Sequence, residues 1–169
     1  LSIERQKELQ EKNKINDFYN KYAFYELAYN VRPNEISGFI GNQQMNYIEE
    51  IISKREDNFK KVFEAIQKNE EILKLKLNGM NRISNFGIPL IFKDKDSFKK
   101  YFSKFSEAGI EIRPIISGNT SNQPFFKKYS CNEEECPNAE FIHQNGFYCG
   151  NNPEMTEEEI GFIICAIGK

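Results

Sequence analysis

The chain has 169 residues and a mass of 19.8 kDa, and its 39% of apolar residues suffice for one ordinary domain whose core needs neither metal nor disulfide. Lys plus Arg number 23 and Asp plus Glu 25, a net charge of -2 with no basic block, which argues against binding nucleic acid through its phosphates. The longest nearly apolar stretch, Ile160 to Ile167, is interrupted by Gly161 and falls far short of the roughly 18 residues of a bilayer span, so no membrane partner is expected.

Leu1 to Asn20 is charged, Asn-rich and without an apolar signal core, so the chain is expected to be cytoplasmic; its start on Leu1 is compatible with a piece of something longer. Apolar residues from Ile36 to Ile66 then recur at three- and four-residue steps, which predicts one long helix opened by Pro33 and Asn34, with a break near Lys54 as an alternative. Ile72 to Leu77 alternates and predicts a strand, and a second strand runs through Phe86 to Phe92, at an edge or bulged because Pro89 has no N–H to donate. Asp96 or Ser97 starts a helix that buries Phe98, Tyr101, Phe102 and Phe105 and ends at Gly109, and Ile110 to Ile116 returns as a strand. Ser117 to Asn132 reads as a long irregular loop. Pro137 opens a short helix closed by Gly146, Phe147 to Cys149 form a strand, and Thr156 with Glu159 makes a capping box for a last helix. Cys165 in that helix is expected to be a small core hydrophobe. The Cys131/Cys136 pair has a loose spacing for zinc, so no metal site is expected.

No phosphate loop or nucleophile elbow occurs, and the lone His143 cannot make a triad by itself. Three polar clusters stand out. In Tyr25 to Asn34, Asn30 is either a turn residue or, with Arg32 beside a helix start, a phosphate ligand. In Arg113 to Pro124, Arg113 is either a solvent-facing strand residue or a ligand, accompanied by Gly118, Asn119 and Gln123. In His143 to Asn151, the histidine reads first as a structural residue and the glycines as turns.

The order of these clusters is more informative than any one of them. The segments YNVRPNEISGFIGNQQMNYIEEIISKREDNF, GIEIRPIISGNTSNQPFF and PNAEFIHQNGFYCGN followed by MTEEEI resemble the carboxyl-terminal part of the pyridoxal-phosphate-dependent sugar-nucleotide aminotransferases of the DegT/StrS type. The arginine-proline loop and the His-x-Asn-Gly-Phe segment most resemble that family's keto-deoxysugar 3-dehydratases and their close aminotransferase relatives. The resemblance implies an α/β chain, with an α+β small domain, from the carboxyl-terminal part of a type I aminotransferase fold. Residues 1–33 would come from the large domain and dimer contact, 34–66 would be a long linking helix, and 67–169 the small domain.

By the same resemblance the intact protein is a homodimer acting on a nucleotide-linked keto-deoxysugar in polysaccharide sugar biosynthesis, by amino-group transfer or by C3 dehydration. Asn30, with Arg32 beside it, would reach the cofactor phosphate of the neighbouring subunit. Arg113, Asn119 and His143 would face the sugar nucleotide. Ala28 stands where the family usually has Gly, a change that leaves the Asn30 assignment in place. The lysine that binds pyridoxal phosphate, or the histidine replacing it in the 3-dehydratases, belongs to an amino-terminal large domain that these residues do not resemble. No catalytic residue is therefore assigned to this chain, and the isolated polypeptide is expected to be inactive. The competing class is a non-catalytic remnant or partner-binding module, which would keep the same core.

Overall fold

A computed structural model of the protein describes residues 2–29, 33–130 and 135–168. Three runs of alternating burial pair into an antiparallel sheet of β1 (Gly87–Ile91), β2 (Ile112–Pro114) and β3 (Gly146–Gly150) in the order β1-β3-β2. The latest strand in sequence thus lies between the two earlier ones. Register follows from the period of two: Ile88, Leu90, Ile112, Phe147 and Cys149 are buried on one face, whereas Pro89, Tyr148 and Arg113 form a cross-strand row on the other. Pro89 lies on an edge strand, as its missing donor requires.

The inner face is covered by α4 (Ile48–Lys68), α5 (Lys95–Glu107) and α8 (Glu157–Ile167). Phe59, Val62 and Ile66, then Tyr101 and Phe105, then Ile160, Ile163 and Ile167 supply the buried stripes at helical spacing. Phe147 is the hub, with the rings of Phe92, Phe98 and Phe105 at 5.1, 5.8 and 5.2 Å. The helix ends obey their sequence signals at Gly109 and at the Thr156 capping box, whereas α5 starts at Lys95, ahead of the expected Asp96 or Ser97. Asp94 caps α5, Gly109 follows its end at φ +69°, and Thr156 and Glu159 form the reciprocal capping box of α8.

Four sequence expectations need correction. The predicted helix over 34–66 is two helices, α3 (Glu35–Gln44) and α4, joined by a 3-10 turn at Met45–Tyr47 rather than broken near Lys54. Neither α3 nor the first ten residues of α4 bury a side chain, and burial begins at Asn58. The predicted strand at Ile72 to Leu77 reduces to one bridge, Ile72 to Phe92. Beyond it the chain departs because Lys74 turns back, its Nζ donating to the carbonyls of Ile66, Gln67 and Asn69 at 2.8, 2.6 and 2.6 Å and closing the end of α4.

The loop expected over Ser117 to Asn132 holds a 3-10 turn, Thr120–Asn122, and a helix, Pro124–Tyr129. Pro124 occupies the first helical position, where an absent N–H costs nothing. Cys165 is exposed, since Ile160, Ile163, Ala166 and Ile167 take the inward positions of α8. Cys149 is the thiol in the core, and burial pushes it up to about 12.

The amino-terminal residues form helices at Ile3–Lys12 and Asp17–Asn20, capped by Ser2 and Asn16. From there Phe18 packs edge-on against Phe102 of α5, Lys21 Nζ donates to the Ile112 carbonyl at 3.0 Å, and Tyr22 reaches Tyr148 on the outer face of the sheet. Among the described residues no helix is long and apolar enough to cross a membrane.

Candidate functional site

The row Pro89–Tyr148–Arg113 places an arginine and a phenol side by side on the outer face of the sheet. Gly87 opposite the Tyr148 ring is what admits it: a Cβ there would stand 2.5 Å from Tyr148 Cδ2. The Tyr148 hydroxyl is in very short contact with that of Tyr22, and burial, followed by this contact, pushes Tyr148 up to about 12, so it stays a protonated phenol. Arg113 is exposed, and its Nε and Nη2 both reach Oε1 of Glu111, at 2.9 and 2.7 Å. The Glu111 bonds, followed by its charge, raise Arg113 above its ordinary value. Phe86, 58% exposed, stands edge-on to Tyr148. Together with Asn152 these side chains line a cleft of about 360 Å³ at the Gly150 end of the sheet.

A second, smaller pocket of about 70 Å³ holds the other two candidates, Asn119 and His143, together with Tyr19, Tyr22, Gly118 and Gln123. Asn119 is buried and both ends of its amide are used inside the chain. Its Oδ1 accepts from the Ser121 N–H at 3.1 Å and its Nδ2 donates to Glu140 at 2.8 Å. Gln123 is equally committed, accepting from the Phe24 N–H at 2.9 Å and donating to the Tyr22 and Ser117 carbonyls at 3.0 Å each. Gly118 has φ +51°, and a Cβ on it would lie 2.1 Å from His143 Nδ1.

The His143 ring in turn stacks on Tyr19 with centroids 4.5 Å apart, while the Tyr19 hydroxyl donates to the His143 carbonyl at 3.1 Å. Burial holds His143 below its ordinary value against the opposing pull of Glu140, which leaves a neutral imidazole at neutral pH. Burial acts to raise Glu140, but bonds from Asn119 and Gln144, with His143 and Asn122, outweigh it and keep the carboxylate below its usual range.

The structure therefore gathers Asn119 and His143 in one pocket and puts Arg113 on a neighbouring cleft, with Tyr22 lining the first and touching Tyr148 of the second. Asn30 and Arg32 lie outside the described residues. Glu140, Tyr19, Tyr22 and Tyr148 escaped the sequence reading, whereas Gln123 stood in its second cluster. Glu140 stands three residues before His143, a helical spacing that could have exposed it, whereas Tyr22 and Tyr148 are far apart in the chain. The glycines of the third cluster are not turns. Gly146 lets α7 (Pro137–Asn145) pass directly into β3, since a Cβ there would meet the Ile142 carbonyl oxygen at 2.7 Å. Asn151 serves the fold, donating to the Arg55 and Asn85 carbonyls.

A Schiff-base cofactor requires a lysine amine free within a cleft and an acidic partner for the ring. The described lysines with bonding partners do not offer one. Lys21, Lys74 and Lys104 donate to backbone carbonyls, and Lys54, Lys61, Lys100 and Lys128 pair with carboxylates. Lys127 and Lys68, for their part, each line a further cleft.

The sequence profile described as the DegT/DnrJ/EryC1/StrS aminotransferase family matches residues 3–168. The GDP-4-keto-6-deoxy-D-mannose 3-dehydratase of Escherichia coli O55:H7 is 31% identical over 166 residues, covering 92% of this chain and 42% of that protein. The lipopolysaccharide biosynthesis protein RfbH of Salmonella typhimurium is 28% identical over 150 residues, covering 86% of this chain and 34% of that protein. A solved structure of the E. coli GDP-4-keto-6-deoxy-D-mannose-3-dehydratase with bound hydrated PLP superposes with a TM-score of 0.64 at 25% identity, over 90% of this chain and 40% of that one. The chain thus spans about two fifths of the length of the relatives it matches, 42% and 34% for the two curated ones. With the family profile matched from residue 3 to residue 168, the chain belongs to the DegT/DnrJ/EryC1/StrS aminotransferase family.

Proposed function

We propose that this chain is the carboxyl-terminal, sheet-bearing part of a pyridoxal-phosphate-dependent enzyme that acts on a nucleotide-linked 4-keto-6-deoxysugar in polysaccharide sugar biosynthesis. The observation that carries this reading is the 31% identity over 166 residues with a 3-dehydratase, which favours C3 dehydration over amino-group transfer. The cofactor, when bound, supplies an electron sink for bond breaking next to the sugar carbonyl. Its lysine, or the histidine replacing it, would come from a large domain outside these residues. Asn30 and Arg32 would serve the cofactor phosphate across a homodimer.

On the substrate side, Arg113 is the direct ligand. Its guanidinium is exposed on a cleft with a phenol, an amide and an aromatic wall, the mixture that orients a polar ligand. Asn119 and His143 act one step back, since their groups are engaged in shaping the 117–123 loop.

Two measurements test the reading. Pyridoxal phosphate mixed with the chain alone is expected to give no absorbance band of a protein-bound imine, and a band abolished by replacing one of its lysines would refute the assignment. In the enzyme expressed with its large domain, Arg113→Ala is expected to raise KM for the nucleotide sugar at least tenfold, and an unchanged KM would remove Arg113 from the substrate side.

A further inference from the structure

The Arg113–Glu111 pair is unusual in where it lies. Both guanidinium donors converge on one carboxylate oxygen, yet both side chains are exposed, 46% and 69%, at the mouth of the 360 Å³ cleft. An ion pair in that setting contributes little to folding, because water and salt screen it. It does hold the guanidinium in a fixed place with an anion already on its fork. The far side of the arginine is fixed too: its cross-strand neighbour Tyr148 is locked by Gly87 and by Tyr22.

Resting on the substrate-side assignment of Arg113, we propose that Glu111 is an internal stand-in for the anionic group of the ligand: it occupies the guanidinium when the cleft is empty and is displaced when a phosphate or carboxylate oxygen arrives. Glu111 thereby sets both affinity and selectivity. A weakly charged or neutral group cannot displace it, whereas a diphosphate, with more charge and more acceptor oxygens, can. Replacing Glu111 by an isosteric amide removes the competing charge and leaves the guanidinium with a neutral acceptor and its bond to Tyr22.

Calorimetric titration of the folded chain with inorganic pyrophosphate, and separately with glutamate, tests this. Glu111→Gln is expected to tighten pyrophosphate binding about 1.5-fold to fivefold, the range set by losing one exposed ion pair, and Arg113→Gln to lose it. Preference for pyrophosphate over glutamate assigns the fork to the nucleotide diphosphate; the reverse assigns it to a carboxylate co-substrate. Binding lost in Arg113→Gln but unchanged or weaker in Glu111→Gln overturns the stand-in role while sparing the Arg113 assignment. No binding to the parent or to Glu111→Gln overturns both. Circular dichroism of each variant confirms the fold, and neither side chain is buried.

Discussion

Gly118 decides the shape of the 117–123 loop. Its φ of +51° and the 2.1 Å approach of a Cβ to His143 Nδ1 exclude any side chain without displacing the imidazole. Gly118→Ala is expected to lower stability by about 1–3 kcal/mol, measured by urea denaturation, and to remove the Tyr19–His143 stacking seen as a ring-current shift. The same imidazole makes stability pH-dependent. Its folded value lies below the ordinary 6.5, so between that lower value and 6.5 the unfolded chain binds more protons than the folded one. This contribution is fully present above 6.5 and is lost as pH falls through the window beneath it. His143→Gln is expected to flatten that part of the stability profile, while the acid-side loss from Glu140, which lies below its own usual range, persists. An unchanged slope near pH 6 would show that the imidazole titrates normally.

Among the elements, the junction after α4 depends on one lysine. Lys74 Nζ serves three carbonyls at the end of a helix that lays Phe59, Val62 and Ile66 on the sheet. Lys74→Met keeps the aliphatic stem but removes the donors and the charge. It is expected to cost about 1 kcal/mol and to speed amide exchange in the last turn of α4 before the rest of the helix. This lysine also accounts for the missing strand at Ile72 to Leu77. The alternation of Leu73, Leu75 and Leu77 is real, but after one bridge the chain satisfies a helix end rather than a sheet edge.

On the scale of the whole molecule, the described residues bury one core between the sheet and three helices and leave α3 unsupported. Ile36, Phe39 and Ile40 are 69%, 67% and 53% exposed. A contiguous apolar surface of this kind drives association. Phe39→Lys is expected to lower concentration-dependent association in sedimentation velocity without lowering the unfolding midpoint, because the side chain makes no core contact. A fall in that midpoint would mean that α3 packs on the sheet in solution.

Much of the architecture was legible in the chain itself. The helix stripes, the capping box of Thr156 and Glu159, the edge position of Pro89 and the ordered polar clusters are local or periodic signals, because a cap, a ring or a 3.6-residue period acts over a few bonds. What the sequence left undecided is every outcome that depends on contacts between distant residues. β3 became the central strand, Tyr22 met Tyr148, Lys74 took the end of α4, and Asn119 turned inward to Glu140 instead of outward to a ligand. Each of these is a choice among partners that are equally good in chemistry and differ only in position. The tertiary structure made that choice by closing one core, which left Arg113 exposed on the cleft at the Gly150 end of the sheet.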